Sequence, residues 1–192
     1  LLTHAHFDHT QGLPFFAPLL NSETVLTIHG PAQDDGMTLG GIFDKLVSPP
    51  LFPVDLSRIP GRIRFIDTVD SDFMVDEIRV KARTIPHVGA TLGYRIEFGG
   101  KSVAYLSDHQ QPSDGSNGIS DGARELVEGV DLLIHDSQFT PEEFAAKSTW
   151  GHCTAEYAVW VAATCGAKNL ALFHHDPSRT DDALDASLPC LK

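Results

Sequence analysis

Cysteine is scarce in this chain. Cys153, Cys165 and Cys190 stand at uneven spacing and form no Cys-x-x-Cys pair, which excludes a thiolate zinc module and a disulfide framework and fits reduced thiols in a cytoplasmic protein. Long apolar runs are missing too: no stretch approaches the roughly 20 residues of a bilayer-spanning helix, so no membrane partner is expected. Basic residues are few, with 14 Lys and Arg against 26 Asp and Glu for a formal net charge of −12. Binding a polyanion requires cations that displace the counterions of phosphates, so this balance predicts a small-molecule substrate and no large folded nucleic acid as partner. No internal repeat of solenoid type is present. The 192 residues, 42% of them hydrophobic, read as one globular domain over residues 1–192, and nothing in the composition speaks against a homodimer.

What the chain does have is histidine, concentrated at its start. The run Thr3-His4-Ala5-His6-Phe7-Asp8-His9 packs three imidazoles and a carboxylate into six residues. Imidazole nitrogen and carboxylate oxygen are the donors that borderline divalent ions prefer. In an extended segment alternate side chains share a face, so His4 and His6 project together, and a turn beyond them brings Asp8 and His9 to a neighbouring position. One ion fits the first pair and a second ion the other.

The remaining sequence interleaves strands and helices, as layered α/β folds require. Residues 24–29 read as a strand and 31–46 as a helix-prone segment interrupted by Gly36, Gly40 and Gly41, followed by a proline-rich loop over 48–60. Residues 63–68, 77–84, 92–98 and 102–106 read as a β-meander, its last hairpin turned by Gly99-Gly100. Helices are expected over 120–128, 140–146 and 154–165, with buried strands over 131–135 and 169–173.

The opening pattern resembles the His-x-His-x-Asp-His signature of the metallo-β-lactamase superfamily, and the resemblance extends to Asp176. It implies an αββα sandwich of two mixed sheets with helices on the outer faces. Leu1 and Leu2 read as the end of a strand already inside the fold, so the chain is expected to be a fragment without the family's amino-terminal strands and with a short carboxyl end. The resemblance also implies two divalent metal ions, zinc first, with manganese or iron as alternatives. His4, His6, Asp8 and His9 would be joined by His87 as the third histidine of the first ion, Asp108 as the bridging carboxylate and His174 as the last ligand of the second. Each of these three follows an apolar run, at a strand end where a rigid scaffold presents side chains to a cleft. His175 competes with His174, and alternation along the strand would place the two on opposite faces.

Two ions close together bring the pKa of a bridging water to about neutrality, so hydrolysis by a metal-activated water is the expected chemistry, with Asp8 also orienting the nucleophile. The leaving group then needs a proton. His152, in Gly151-His152-Cys153-Thr154, is similar to the histidine of a Gly-His-Ser-Thr motif in the phosphodiesterase branches, and Asp136 matches its acidic partner in tRNase Z-like relatives. The continuation 88–97 and the ending 173–177 resemble the tRNase Z and phosphoribosyl cyclic phosphodiesterase branches, so a small or cyclic phosphodiester is the expected substrate. Thioester or lactone hydrolysis, or a catalytically silent metal-binding regulatory module, are the competing readings. His29, His109 and His135 are expected to play no ligand role.

Overall fold

The computed structural model describes residues 1–187; Cys190 lies outside the described residues. The chain divides into two compact units, Leu1–Val69 and Asp70–Lys192. Among the described residues, no helix is long and apolar enough to cross a membrane.

In the first unit, β1 (Val25–Pro31) pairs in parallel with β2 (Arg62–Thr68). The segment 63–68, which reads as the opening strand of the meander, belongs instead to this separate two-stranded sheet. Its alternation of half-buried and exposed residues looks the same for either partner, so pattern alone could not choose between them. Helix α1 (Phe7–Thr10) is a single turn carrying half of the histidine motif. Helix α2 (Leu39–Leu46) contains Gly40 and Gly41, which were read as interruptions. Two local interactions override their low propensity: Thr38 accepts a hydrogen bond from the Gly41 amide, and the Leu39 amide donates to Asp67 Oδ1 at 2.7 Å. Phe43 and Phe65 then stack at 5.1 Å between ring centroids.

The second unit is a six-stranded sheet in the order β3-β4-β5-β6-β7-β8. Strands β3 (Ser71–Val75), β4 (Ile78–Thr84), β5 (Leu92–Phe98) and β6 (Lys101–Leu106) run antiparallel; β7 (Leu132–Asp136) and β8 (Leu170–Phe173) continue in parallel with β6. The short β3, unrecognised in the sequence, supplies the meander's first strand. Helix α3 (Asp121–Val127) connects β6 to β7, and α4 (Pro141–Lys147) with α5 (Ala155–Cys165) connects β7 to β8, as parallel neighbours demand. One core joins α3, α5 and the sheet through Leu106, Leu126, Leu133, Tyr157 and Val161. Gly93 permits the close approach of α3, because a Cβ there would lie 2.7 Å from Leu126 Cδ1. The helices start where their side chains say: Thr140 with Glu143 forms a capping box on α4, and Thr154 caps α5. A final helix, α6 (Asp181–Ser187), has no buried residue to announce it.

This topology positions the chemistry. Strands β6, β7 and β8 are mutually parallel, and β4, antiparallel to β5, points the same way as β6. Their carboxyl ends therefore share one edge of the sheet, the edge where open α/β sheets present their reactive side chains.

Candidate metal centre

In the first unit the histidine motif is extended through His6 and then turns into α1. The ring centroids of His4 and His6 lie 4.5 Å apart and those of His4 and His9 4.2 Å apart. Asp8 Oδ2 sits 3.0 Å from His9 Nε2. The helical turn brings His9 back beside His4, and Thr10 pins it by donating to the His6 carbonyl at 3.0 Å. His4 is buried, with Thr3 Oγ1 3.1 Å from its Nδ1, while His6 and Asp8 are exposed. The structure thus gathers His4, His6, Asp8 and His9 into one donor cluster.

In the second unit the strand ends deliver a second cluster. His87 lies three residues past β4, Asp108 two past β6, Asp136 at the end of β7 and His174 directly after β8. Asp108 Oδ2 stands 3.7 Å from His87 Nε2 and 3.5 Å from His174 Nε2. These separations are too long for hydrogen bonds. Two ligand atoms about 2.1 Å from one tetrahedral ion are themselves about 3.4 Å apart, so Asp108 stands at ligand-to-ligand distance from each imidazole, as a carboxylate between two ions would. His174 has a φ of 54°, so simple strand alternation does not govern it. Its left-handed backbone turns the ring towards Asp108, whereas His175 Nδ1 faces Ser137 Oγ at 3.3 Å. A non-glycine residue in this conformation costs about 1–2 kcal/mol, which the surrounding structure must offset.

His152 occupies the loop before α5, with its ring stacked on His174 at 5.0 Å and 11°. Its Nδ1 donates to Asp136 Oδ2 at 2.8 Å, leaving Nε2 as the nitrogen that can face a substrate. The same Asp136 oxygen accepts the His109 amide at 3.2 Å, and its other oxygen accepts the Gln138 amide at 2.9 Å. Burial pushes the Asp136 carboxyl well above the usual range, and the Gln138 amide opposes that shift. A cavity of about 500 Å³ opens in this unit beside His87, lined also by Pro86, His109, Gln110 and Tyr157.

His109 and His135 form a buried pair beside Asp136. His135 Nδ1 donates to the Asp136 carbonyl at 2.8 Å, so its Nε2 accepts from His109 Nδ1 at 2.9 Å. Both rings are fully buried. Burial lowers the pKa of His135 to about 4 and that of His109 well below its ordinary value. The unfolded chain protonates these rings near pH 6.5 whereas the fold keeps them neutral, so their contribution to stability is complete above pH 6.5 and is lost as pH falls towards 4. His135 alone accounts for about 3 kcal/mol across that window. Urea midpoints of chelated protein at pH 7 and pH 5 should therefore differ, and His135→Gln should flatten the difference. An unchanged slope in that variant would assign the acid sensitivity elsewhere.

Sequence reasoning missed Gln110 and the role of Gly151. The Gly151 carbonyl accepts from His87 Nδ1 at 2.6 Å, which fixes the tautomer that offers Nε2. Glycine is required there: φ is 96°, and a Cβ would fall inside 3.0 Å of the His87 ring. The Gly-His pairing in the motif was a visible signal for Gly151; Gln110 had none.

Comparison with known proteins follows the same lines. Residues 1–175 match the family described as the β-lactamase superfamily domain. The ribonuclease Z of Sulfurisphaera tokodaii is 42% identical over 214 residues, covering 96% of this chain and 71% of the relative. Among solved structures, the metallo-β-lactamase fold protein YhfI from Bacillus subtilis aligns with a TM-score of 0.70 at 20% identity, over 98% of this chain and 68% of that one. The short form of human tRNase Z aligns at 0.64 and 23% identity, over 91% and 71%. These likenesses establish the expected α/β metallo-β-lactamase fold. They also correct one expectation: relatives named as RNA-cleaving enzymes overturn the exclusion of nucleic acid as a partner. Net charge misled because it averages over the whole chain and counts carboxylates that would lie against cations.

Proposed function

Starting from the fact that this chain belongs to the metallo-β-lactamase superfamily as a metal-dependent hydrolase, we propose that it cleaves phosphodiesters, with His152 as the proton donor to the leaving oxygen. The observation that carries this reading is the buried Asp136 paired with His152 Nδ1 at 2.8 Å, next to the ligand cluster around Asp108. The proposed ligands are His4, His6, Asp8 and His9 together with His87, Asp108 and His174, holding two divalent ions, zinc first. Bound there, such ions supply Lewis acidity, bringing the pKa of the attacking water towards neutrality and neutralising charge on the phosphoryl oxygens. Asp8 orients that water by accepting its hydrogen bond. His152 gives the proton on Nε2 to the departing alkoxide, and Asp136 holds the ring in the tautomer this requires and stabilises its cationic form.

Support for a phosphate ester over a thioester or lactone comes from the placement of His152 at the amino end of α5, where the helix adds positive potential for an anion. Small or cyclic phosphodiesters and an RNA 3′ end are both substrates of this chemistry, acted on in a reducing cytoplasm where Cys153 and Cys165 stay free. The test is a metal-loaded turnover panel of bis-p-nitrophenyl phosphate, a 2′,3′-cyclic nucleotide, a 3′-extended RNA and an acyl thioester. Phosphodiester cleavage that stops on chelation is expected, with the thioester at background. Preferential thioester turnover would overturn the assignment.

A further inference from the structure

We propose that Gln110 is a positioning residue whose carboxamide locks a metal ligand and the proton donor into one frame; the role rests on the hydrolase reading above. The loop between α4 and α5 carries no sheet or helix ladder of its own over 148–152. Its backbone must be held by other groups. Gln110 makes three of its hydrogen bonds, and the Gln111 amide adds a fourth to the His152 carbonyl at 3.3 Å. Gln110 Oε1 accepts the Gly151 amide at 2.6 Å, and its Nε2 donates to the Ser148 carbonyl at 2.9 Å and the Gln111 carbonyl at 2.6 Å, with the His152 carbonyl at 3.3 Å. Only one orientation of the amide satisfies this set, because Gly151 presents a donor and Ser148 an acceptor. The backbone amide of Gln110 meanwhile donates to the Pro86 carbonyl at 2.7 Å, tying the same residue to the segment that delivers His87.

The consequence follows from what the Gly151 peptide touches. Its amide is held by Gln110, its carbonyl holds His87 Nδ1 at 2.6 Å, and the next residue is His152. Rotating that peptide would release the His87 tautomer and displace the His152 ring together. Asp136 fixes the tip of His152, but it does not fix the backbone from which the ring projects; Gln110 does. A neutral carboxamide suits the task, since one side chain must present both an acceptor and two donors beside a metal site without adding charge to it.

The decisive variants are Gln110→Leu, which removes the acceptor and the donors, and Gln110→Glu, which keeps an acceptor for Gly151. Two readouts are taken on the full chain loaded with zinc: the nitrogen-15 spectrum of the His87 ring and steady-state turnover of a phosphodiester. In the parent protein the His87 Nδ1 proton, held on the Gly151 carbonyl, should give a protected resonance. Gln110→Leu should lose it, lower kcat about 10- to 100-fold with little change in KM, and weaken zinc by a similar factor. Gln110→Glu should keep the resonance and lose less activity. If the Leu variant retains the resonance and kcat within about twofold of the parent, the proposal is overturned. If it does not fold, the Glu variant decides: loss of the His87 resonance there, despite a retained acceptor, rejects the link through Gly151. The spectroscopic arm is readable whether or not phosphodiesters are the substrate, so failure of the substrate assignment is distinguishable from failure of this one.

Discussion

Asp108→Asn should strip the protein of most of its bound metal and abolish turnover. The substitution keeps the shape of the side chain and removes its charge. Asp108 is 2% exposed, and its Oδ2 stands at 3.5 Å from His174 and 3.7 Å from His87. A single carboxylate oxygen thus lies at ligand-to-ligand distance from imidazoles arriving from two different strand ends. Replacing groups that only orient a ligand typically lowers metal affinity or activity 10- to 100-fold, so loss of a charged donor shared by two imidazoles should cost more, on the order of 10³-fold in kcat/KM. Elemental analysis of protein purified without added metal should show the ion content per chain falling by at least half. Full occupancy in Asp108→Asn would contradict a bridging role. Stability should move the other way once metal is removed from both proteins, because asparagine relieves the cost of a buried charge; a higher urea midpoint for the chelated variant is expected.

Most of the candidate site was legible because it is written in short, local patterns at or near strand ends. The opening motif needs no long-range information, and its split between an extended half and a helical half follows from Asp8 and His9 falling in the first turn of α1. The family resemblance named His87, Asp108 and Asp136 as candidates, and each lies at or shortly beyond the end of a strand. The same pattern chose His174 over His175, and the orientation of His174 depends on a φ of 54° that alternation cannot anticipate. The less legible parts share a physical cause: they depend on partners remote in sequence. Strand β2 has the period of a meander strand, yet its partner is β1, and the pairing is decided by packing. Helix α2 tolerates two glycines because Asp67, 28 residues away, holds its first amide. Gln110 is an ordinary polar residue until the loop of Gly151 arrives beside it.

The buried pair His109 and His135 has a use that an expectation about ligands does not address. Each residue places one hydrogen bond on Asp136: the His109 amide on its carboxylate and His135 Nδ1 on its carbonyl. Asp136 is therefore held through side chain and backbone by residues that no sequence pattern connects. A carboxylate so fixed can orient an imidazole without paying for reorganisation when charge develops on it.

That support sets the expectation for His152→Ala. In the proposed role the ring gives up a proton from Nε2 while Nδ1 is engaged by Asp136 at 2.8 Å; metal content separates this role from that of a ligand, since His87, Asp108 and His152 also stand close enough to share an ion. Metal content should stay at the parent level while kcat falls about 10²- to 10⁴-fold, the usual worth of general acid catalysis. The loss must depend on the leaving group. An alkoxide, such as the oxygen of a ribose, departs only with a proton and should show the full effect; p-nitrophenolate departs as the anion and should show far less. Asp136→Asn should reproduce the same leaving-group dependence at smaller amplitude, since the amide can accept from Nδ1 without stabilising the charged ring. Equal losses for both leaving groups, or loss of metal in His152→Ala, would reassign the residue from proton donor to ligand.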